Sequence, residues 1–466
     1  MLRRLGETIS PKDAVVKMKE ASFPKPFPRG LEYNAPVHGN WNIVHTGMQV
    51  PEAIQIYVCA DNCMRGVVLT AAEMNAADRF SFVIVEEKHI LNGNLEDITI
   101  EGVTDVLNKR GDHPKAVLLF TVCLHHFLGS NLKYIYGELE RRFPDICFIR
   151  CYMDPIMQKH GLTPDQKLRK AMYDPLPECE PDAKTVSIFG SDFALDESSD
   201  IKRLLRRYNY TVRELPVCET WQDLLDMSKG SLFLTTYPAG KYGMETHARR
   251  LNRKHLYLPG SFNYEEIEKQ LKQLTDALSL QEVPREALDA ERAACEEVLA
   301  KAKALIKDMP IALDYLYHPR PLGLAKLLLT HGFHVKAVYL DAVSPEEKPE
   351  FDWLQEHAPE LELIATIQVK MRVLPGTMAP TPEGSAVLRT KTSILPGNCG
   401  EEVLAIGQKA AYFSHSRHFV NLVQGEGLYG FDGIRRTAEL MMEAYRDEKN
   451  TEKLIVQKGW GCECCL

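Results

Sequence analysis

The strongest constraint on the fold is a repeated alternation of short apolar runs with amphipathic, helix-like segments. Each run is followed by a polar or glycine-containing turn and then by a segment such as SSDIKRLLRRY, whose apolar residues recur at helical spacing. This order is typical of βαβ units, in which helices cover both faces of a parallel sheet. The predicted strands are IQIYV, FVIV, AVLLFTV, TVSIF, SLFLTT, IALDYL and VKAVYL. The sequence therefore predicts an α/β fold with parallel sheets.

Two junctions divide this pattern. The proline-rich stretch DPLPECEPDAK precedes the strand near Val186, and a charged, helix-like stretch over 285–307 precedes the strand that begins at Ile311. A chain of 466 residues is also too long for one hydrophobic core. We predict three Rossmann-like units and a cysteine-rich tail, over 1–180, 181–284, 285–450 and 451–466 respectively.

The charge pattern argues against nucleic acid as a partner. The chain has 64 acidic and 56 basic residues, a formal net charge of -8, and no basic stripe of the kind that binds phosphate backbones. No apolar run has the length of a membrane span, and the amino terminus lacks the apolar core of a secretory signal. We therefore expect a cytoplasmic protein with neither a nucleic-acid nor a membrane partner.

Common catalytic and nucleotide-binding motifs are missing. The sequence contains no P-loop motif, and FGSDFALD lacks the glycine spacing of a dinucleotide-binding turn. The H-E-x-x-H zinc helix and the G-x-S-x-G nucleophile elbow are also absent. Rossmann-like units without these motifs need another cofactor to explain them.

Cysteines stand at the ends of two predicted strands. Cys59 closes the first strand, Cys63 follows it by four residues, and Cys123 closes AVLLFTV. Ligands of parallel α/β sheets gather at the carboxyl ends of strands, and three thiols on one rim would suit an iron-sulfur cluster because iron prefers soft sulfur ligands. Two alternatives stay open. Cys59 and Cys123 would be ordinary core residues, or the thiols would bind zinc, whose structural sites usually have paired C-x2-4-C knuckles.

The remaining cysteines give weaker signals. Cys295 lies on the apolar face of a predicted helix, which favours core packing. The tail GWGCECCL carries three further candidate metal ligands, Cys462, Cys464 and Cys465.

Three stretches resemble segments of the nitrogenase component 1 family, which includes dark-operative protochlorophyllide reductase and the nickel-tetrapyrrole reductase of methanogens. MQVPEAIQIYVCADNCMRGVVLT is similar to the family's strand and loop with a cluster cysteine, which falls on Cys63. EDITIEGVTDVLNKRGDHPKAVLLFTVCLHHFLGSNLKYIYGEL is similar to a second such segment, whose cysteine falls on Cys123. GEGLYGFDGIRRTAELMMEAY resembles the family's last glycine-rich turn and helix. The resemblance covers about 33–448 and implies a nitrogenase component 1-like fold of three Rossmann-like units.

The resemblance also implies a function. The chain would be the iron-sulfur component of a two-component oxidoreductase that receives low-potential electrons from a separate ATP-hydrolysing iron-sulfur protein. Its cluster, 4Fe-4S or larger, would lie at the interface of a homodimer or of a heteromer with a related subunit. A substrate or a second metal cofactor would bind in the cleft among the three units. Two other hypotheses remain: a non-catalytic scaffold for metal-cluster assembly, and a plain α/β binding protein with inert thiols.

The chain departs from the family in two places. Most members carry a further cluster cysteine upstream of the position of Cys63, whereas APVHGNWNIVHTG contains none, so Cys59 is the candidate replacement. The stretch SLFLTTYPAGKYGMETHARR has Thr236 and Tyr237 where the nitrogenase active-site subunit places a cofactor cysteine. The resemblance therefore does not extend to an iron-molybdenum type cofactor or to nitrogen reduction.

Polar residues after the predicted strands are further candidates. Histidine titrates near neutrality and suits proton donation, although a histidine in this position also commonly caps a helix or bonds a backbone carbonyl. Arg65, beside the cluster loop, would offset the negative charge of a thiolate-bound cluster. The predicted catalytic residues are His125, His126, Tyr237, Lys241, His415 and His418. The predicted cofactor-binding residues are Cys59, Cys63, Cys123 and Arg65.

Overall fold

The computed structural model describes residues 14–27, 43–153, 161–368, 371, 402–451 and 454. The strands are β1 (Val15–Lys17), β2 (Ala53–Cys59), β3 (Phe80–Ile84), β4 (Ala116–Val122), β5 (Cys147–Met153), β6 (Asp182–Phe189), β7 (Thr211–Glu214), β8 (Gly230–Thr235), β9 (Lys254–Tyr257), β10 (Ile311–Asp314), β11 (Val335–Tyr339), β12 (Glu362–Ile364), β13 (Leu404–Ile406) and β14 (His418–Val420). The α-helices are α1 (Ile43–Met48), α2 (Asp61–Glu73), α3 (Glu87–Leu91), α4 (Leu95–Lys109), α5 (Cys123–Phe127), α6 (Leu132–Arg142), α7 (Pro164–Met172), α8 (Asp200–Arg207), α9 (Trp221–Asp226), α10 (Pro238–Arg250), α11 (Tyr264–Ala277), α12 (Arg285–Ile306), α13 (Pro321–Thr330), α14 (Lys348–His357), α15 (Gln408–Ser414) and α16 (Gly430–Arg446).

The chain divides into two compact units. The two-sheet unit comprises Asn40–Ala194 and Leu205–Pro259. The one-sheet unit comprises Met1–Gly39, Leu195–Leu204 and Gly260–Leu466. Among the described residues, no helix combines the length and apolar character needed to cross a bilayer.

The first sheet of the two-sheet unit has the order β3-β2-β4-β5, and all its strands are parallel. Every residue of β2 and β4 is buried, as expected for central strands that are covered on both faces. The side chains of β2 alternate between two cores, with Ile56 and Val58 packed beside residues of α4 and α6, and Tyr57 and Cys59 beside residues of α2 and α7. Because β3 and β5 lie on opposite sides of the central pair, the connections that leave β2 and β4 diverge.

The second sheet repeats this topology in the order β7-β6-β8-β9, again with parallel strands. Gly190 follows β6 with a positive φ of 97° and lies against Gly240 of α10, where an added Cβ would come within 2.4 Å of the Gly190 Cα. The two sheets share one apolar core, in which Tyr57 and Phe120 belong to the same cluster as Phe189 and Phe233. This shared core explains why the two sheets form one compact unit.

The sheet of the one-sheet unit has the order β1-β12-β11-β10-β13-β14. Its strands are parallel except β1, which pairs antiparallel with β12, Val15 opposite Ile364. The strand order reverses between β10 and β13. The amino-terminal segment therefore completes the edge of the last sheet rather than joining the first.

The structure confirms the predicted α/β class and its parallel, Rossmann-like sheets. A strand lies at each of the seven predicted runs. The boundaries predicted at 180, 284 and 450 stay predictions, and β1 and the shared core of the first two sheets show that sequence order and compact units do not coincide.

Candidate functional site

The carboxyl ends of β2 and β4 form the crevice of the first sheet. The two strands are neighbours in parallel register, with Val58 opposite Thr121, so β2 ends at Cys59 on the level where β4 ends at Val122. Because the following connections diverge, a crevice opens at this point, and ligands of doubly wound sheets bind in such crevices. The structure thus places the predicted cysteines where this fold offers a site.

Cys63 and Cys123 both lie at this crevice, on the helices that follow β2 and β4. Cys63 is the third residue of α2 and is exposed, and Cys123 begins α5 and is partly exposed. Burial raises the pKa of the Cys63 thiol, and the neighbouring Cys123 thiol and Asp61 carboxylate raise it further. The electrostatic effect of one thiol on the other reflects their proximity. The Cys63 thiol would have to lose its proton to become a metal ligand.

Cys59 is placed differently. Its side chain is fully buried in the core that contains Tyr57. Burial raises the pKa of the Cys59 thiol to about 12, with smaller contributions from Cys63 and Asp61. A metal ligand is a thiolate, so this environment favours the core interpretation of Cys59. Its role as a replacement ligand stays a prediction.

The described residues do not complete a metal site on their own. No group of three or more His, Cys, Asp or Glu side chains within them could hold a metal ion. The donor set at the crevice consists of the two accessible thiols, Cys63 and Cys123. It fits part of the ligand set of an iron-sulfur cluster, whose irons are usually held by four cysteines, and requires further ligands from elsewhere.

His125 is a structural residue in this geometry. It is buried, its Nδ1 accepts the backbone N–H of Val122 at 3.3 Å, and its Nε2 lies 3.1 Å from the hydroxyl of Thr99. Because that hydroxyl donates to the carbonyl of Leu95 at 2.7 Å, it accepts the Nε2 proton of a neutral imidazole. Burial lowers the pKa of His125 to about 4. These contacts fit the helix-capping interpretation of His125. Its predicted catalytic role stays a prediction, as does that of the adjacent His126, which is exposed.

Tyr237 and Lys241 lie at the corresponding end of the second sheet. Tyr237 precedes α10, and the guanidinium of Arg169 lies 5.2 Å from the centre of its ring. Burial raises the pKa of the Tyr237 hydroxyl. The Lys241 ammonium lies 4.5 Å from the centre of the Tyr257 ring. These contacts hold both side chains within the second sheet and its helices.

A buried ionic cluster beside Tyr237 was not predicted from the sequence. Arg169 is 1 % exposed and bonds Asp165 at 3.0 Å and Asp192 at 2.7 Å. Gln49 also donates to Asp192, at 3.0 Å. The spacing of Asp165 and Arg169, four residues apart in α7, is the one sequence cue to this cluster, and it is usually the mark of an exposed helical ion pair.

The predicted histidines of the third sheet also have structural surroundings. His415 ends α15 with a left-handed backbone and is exposed. His418 is buried in β14, and its Nδ1 lies 3.0 Å from the carbonyl of Ala444 in α16. The structure ties His418 to the last helix. Catalytic roles for both histidines stay predictions.

The other predicted site residues fall outside the described residues. These are the side chain of Arg65 and the tail cysteines Cys462, Cys464 and Cys465.

A family model and two solved structures that this chain resembles all belong to nitrogenase-type proteins. A family model for "Nitrogenase component 1 type Oxidoreductase" matches residues 69–377, a range that includes Cys123 and begins six residues after Cys63. No curated protein matches the sequence. The solved structure "Nitrogenase Cp1 at pH 6.5" is 14% identical with a TM-score of 0.64, over 90% of this chain and 94% of that chain. "Nitrogenase Cp1 at pH 5" is 11% identical with a TM-score of 0.55, over 96% of each chain. At such identities the likeness concerns the fold alone, while the family model covers more than half of the sequence: the chain belongs to the nitrogenase component 1 type oxidoreductase family.

Proposed function

We propose that this chain is the iron-sulfur component of a nitrogenase-like two-component reductase. Cys63 and Cys123 would hold a 4Fe-4S or larger cluster, and a separate ATP-hydrolysing iron-sulfur protein would supply low-potential electrons. The observation that carries the proposal is the presence of two accessible thiols at the crevice between the ends of β2 and β4. The cluster, when bound, would supply one-electron transfer.

The incomplete ligand set favours a cluster shared between subunits. Exposed apolar side chains accumulate at the end of β3 and on the segments that follow β2, β3 and β4, and such surfaces often mark protein interfaces. They are Val68, Ile84, Leu91, Phe127 and Leu128. A two-fold dimer brings the same patch of each copy together, so a second copy of this chain, or a related subunit, would contribute the missing thiols.

The surrounding residues would position the two thiols. Cys63 lies in the first turn of α2, where the helix dipole favours the negative charge of a thiolate. His125 holds the start of α5 through the backbone N–H of Val122, which immediately precedes Cys123. His126 follows on the exposed side and is the candidate for proton transfer near this site.

We do not propose a metal ligand on the loop after β8. Thr236 and Tyr237 follow that strand, neither has the soft sulfur that iron clusters prefer, and the Tyr237 ring packs against Arg169. A second metal cofactor would need another binding position.

Iron and sulfide analysis after anaerobic purification and reconstitution tests the cluster. We expect Cys63→Ser and Cys123→Ser to lose most of the bound iron and the visible absorbance of the cluster. Cys179→Ser, a partly buried cysteine of the same unit that bonds Ser228, is the matched control and should retain both. A Cys63→Ser/Cys123→Ser protein with full iron content would refute the ligand assignment.

Electron transfer tests the reductase role separately. A low-potential donor reduces the ATP-hydrolysing iron-sulfur reductase, which with ATP should pass one electron to the oxidised cluster of the reconstituted protein, and an ATP-dependent loss of the visible absorbance of that cluster reports the transfer. A protein that holds iron but transfers it to an acceptor apoprotein, without electron transfer, would instead be an assembly scaffold.

A further inference from the structure

We propose that a groove in the two-sheet unit binds a small organic molecule that carries carboxylate or phosphate groups. This cationic groove lies at the carboxyl ends of β4 and β5 and has a volume of about 620 Å³. Its lining includes the polar residues Ser130, Arg150, Tyr152, Lys167, Lys170 and Asp174. A cavity of this size accommodates a metabolite or a cofactor.

The charge of the lining favours an anion. Three cations, Arg150, Lys167 and Lys170, face the groove, and Asp174 is the carboxylate in the described lining. This positive excess stands out in a chain whose formal net charge is -8. A local cationic surface in an acidic protein attracts anions selectively to one place.

All three cations lie against aromatic rings, and the Lys167 ammonium lies 5.5 Å from the centre of the Tyr152 ring. The Arg150 guanidinium lies 4.8 Å from the centre of the Tyr136 ring, and the Lys170 ammonium lies 6.0 Å from that of Tyr242. Neither forms a salt bridge with a carboxylate among the described residues. Stacking orients a cation without using its N–H groups, so both side chains keep donors for a carboxylate or phosphate oxygen.

A buried hydroxyl gives an independent indication of a ligand. The Ser130 Oγ lies in the groove lining, is inaccessible to solvent, and has no hydrogen-bond partner among the described residues. A buried polar atom without a partner costs free energy, and a ligand oxygen at this position would remove that cost. The lining also includes Val122, Leu132, Leu162 and Ala171, which would contact an apolar part of the molecule.

The groove adjoins the proposed cluster site, but anion binding in the groove does not require a bound cluster. Its lining contains Val122, which directly precedes Cys123, and His126, which follows Cys123 by three residues. A substrate in this position would lie next to the electron source, and that further role rests on the proposed function. Binding itself is therefore tested on protein that cannot hold the cluster.

The experiment uses the full-length protein with Cys63→Ser and Cys123→Ser. Fluorescence of 8-anilinonaphthalene-1-sulfonate, which has an aromatic body and an anionic group, reports saturable binding. Citrate and pyrophosphate then compete with this probe. Displacement by citrate indicates a carboxylate ligand, and displacement by pyrophosphate alone indicates a phosphate ligand. If neither anion displaces the probe, the groove is not an anion site and the proposal is overturned.

Charge removal locates the binding. Adding Lys167→Gln and Lys170→Gln should weaken binding of the competing anion by about tenfold or more, which corresponds to about 1.4 kcal/mol. The matched control, Lys109→Gln with Lys115→Gln, removes two charges near the opposite end of β4 and should leave the affinity unchanged. Equal affinities in the two double variants would overturn the proposal.

Two single variants test the location of the site without changing Lys167 or Lys170. Arg150→Gln and Ser130→Ala should each weaken the same competition, and circular dichroism of each variant verifies its fold. Full affinity in both would exclude the groove as the site.

Discussion

The buried carboxyl of Glu347 should make the stability of the one-sheet unit depend on pH. Glu347 is 1 % exposed, one of its oxygens accepts the backbone N–H of Gly323 at 3.0 Å, and the other has no partner among the described residues. Arg320, the nearby cation, bonds Glu266 at 2.7 Å and lies 3.8 Å from Glu350. One guanidinium therefore faces three carboxyl groups, and it cannot compensate the burial of all of them.

Burial raises the pKa of Glu347 from 4.5 to about 8. The folded state thus binds the proton more tightly than the unfolded state. The stability that this proton contributes is complete below pH 4.5 and is lost as the pH rises through 8, at about 1.4 kcal/mol per pH unit. Glu347→Gln keeps a neutral side chain at every pH. The free energy of unfolding of this variant minus that of wild type should therefore rise with pH, and at pH 7 it should exceed its low-pH value by roughly 3 kcal/mol.

Urea unfolding followed by circular dichroism, at pH 5, 6, 7 and 8, measures this difference. Glu346→Gln removes a carboxylate from the same turn and serves as the matched control. If the free energies of unfolding of wild type and Glu347→Gln differ by a constant amount across this range, Glu347 does not carry the proton and the reasoning is wrong.

Two further predictions concern the two-sheet unit. Arg169→Met leaves the largely buried carboxylates of Asp165 and Asp192 without their cation and should cost about 3–5 kcal/mol of unfolding free energy. A loss below about 1 kcal/mol in urea unfolding would contradict the assigned ion pairs. Thr99→Val removes the acceptor of the His125 Nε2 proton and should cost about 1–3 kcal/mol. Thr99→Ser keeps the hydroxyl as its control, and equal stability of the two variants would argue against this hydrogen bond.

Central strands could be predicted from the sequence and several edge strands could not. IQIYV and AVLLFTV are continuous apolar runs because β2 and β4 are covered on both faces. The edge strands β5 and β9, CFIRCYM and KHLY, carry charged residues and leave side chains partly exposed. Polar residues on edge strands limit pairing with other chains, but they also weaken the apolar signal on which strand prediction depends.

The candidate site was predictable in part for the same reason. The predicted strand ends placed Cys59 correctly at the end of β2 and Cys123 to within one residue, since β4 ends at Val122 and Cys123 begins α5. Which thiol faces the crevice depends on the alternation of side chains across the sheet and on the start of the next helix. Cys59 is the last residue of β2 and points into the core, whereas Cys63 lies on the first turn of α2. The spacing of the two cysteines does not contain that distinction.

Buried polar clusters were harder to predict because their partners are distant in sequence. Arg169 bonds Asp192 across 23 residues, and Arg320 bonds Glu266 across 54. In the sequence each is an ordinary charged residue, and such residues are mostly exposed. Their burial depends on tertiary packing that places the opposite charge beside them.

In each of the three sheets the strand order reverses at one place, and a crevice lies at the carboxyl ends of the two strands there. In the second and third sheets the chain's own atoms occupy this crevice. After β6, Gly190 approaches Gly240 so closely that neither position tolerates a Cβ without displacement. After β10, the carboxylate of Asp314 accepts the backbone N–H groups of Leu316, Tyr317 and Ala410, at 2.8, 2.9 and 2.7 Å. Asp314 thereby occupies the start of α15, the position where a nucleotide phosphate binds in other doubly wound folds.

The first sheet is the exception within the described residues. The crevice between β2 and β4 leaves the Cys63 and Cys123 thiols accessible, with the Asp61 carboxylate beside Cys63. The same topology thus serves two purposes: where the chain fills the crevice with its own atoms, the sheet end is a structural joint, and where thiols remain at the surface, the sheet end can bind a partner. This difference in occupancy, rather than the shared fold, is why we locate the proposed electron-transfer site in the first sheet.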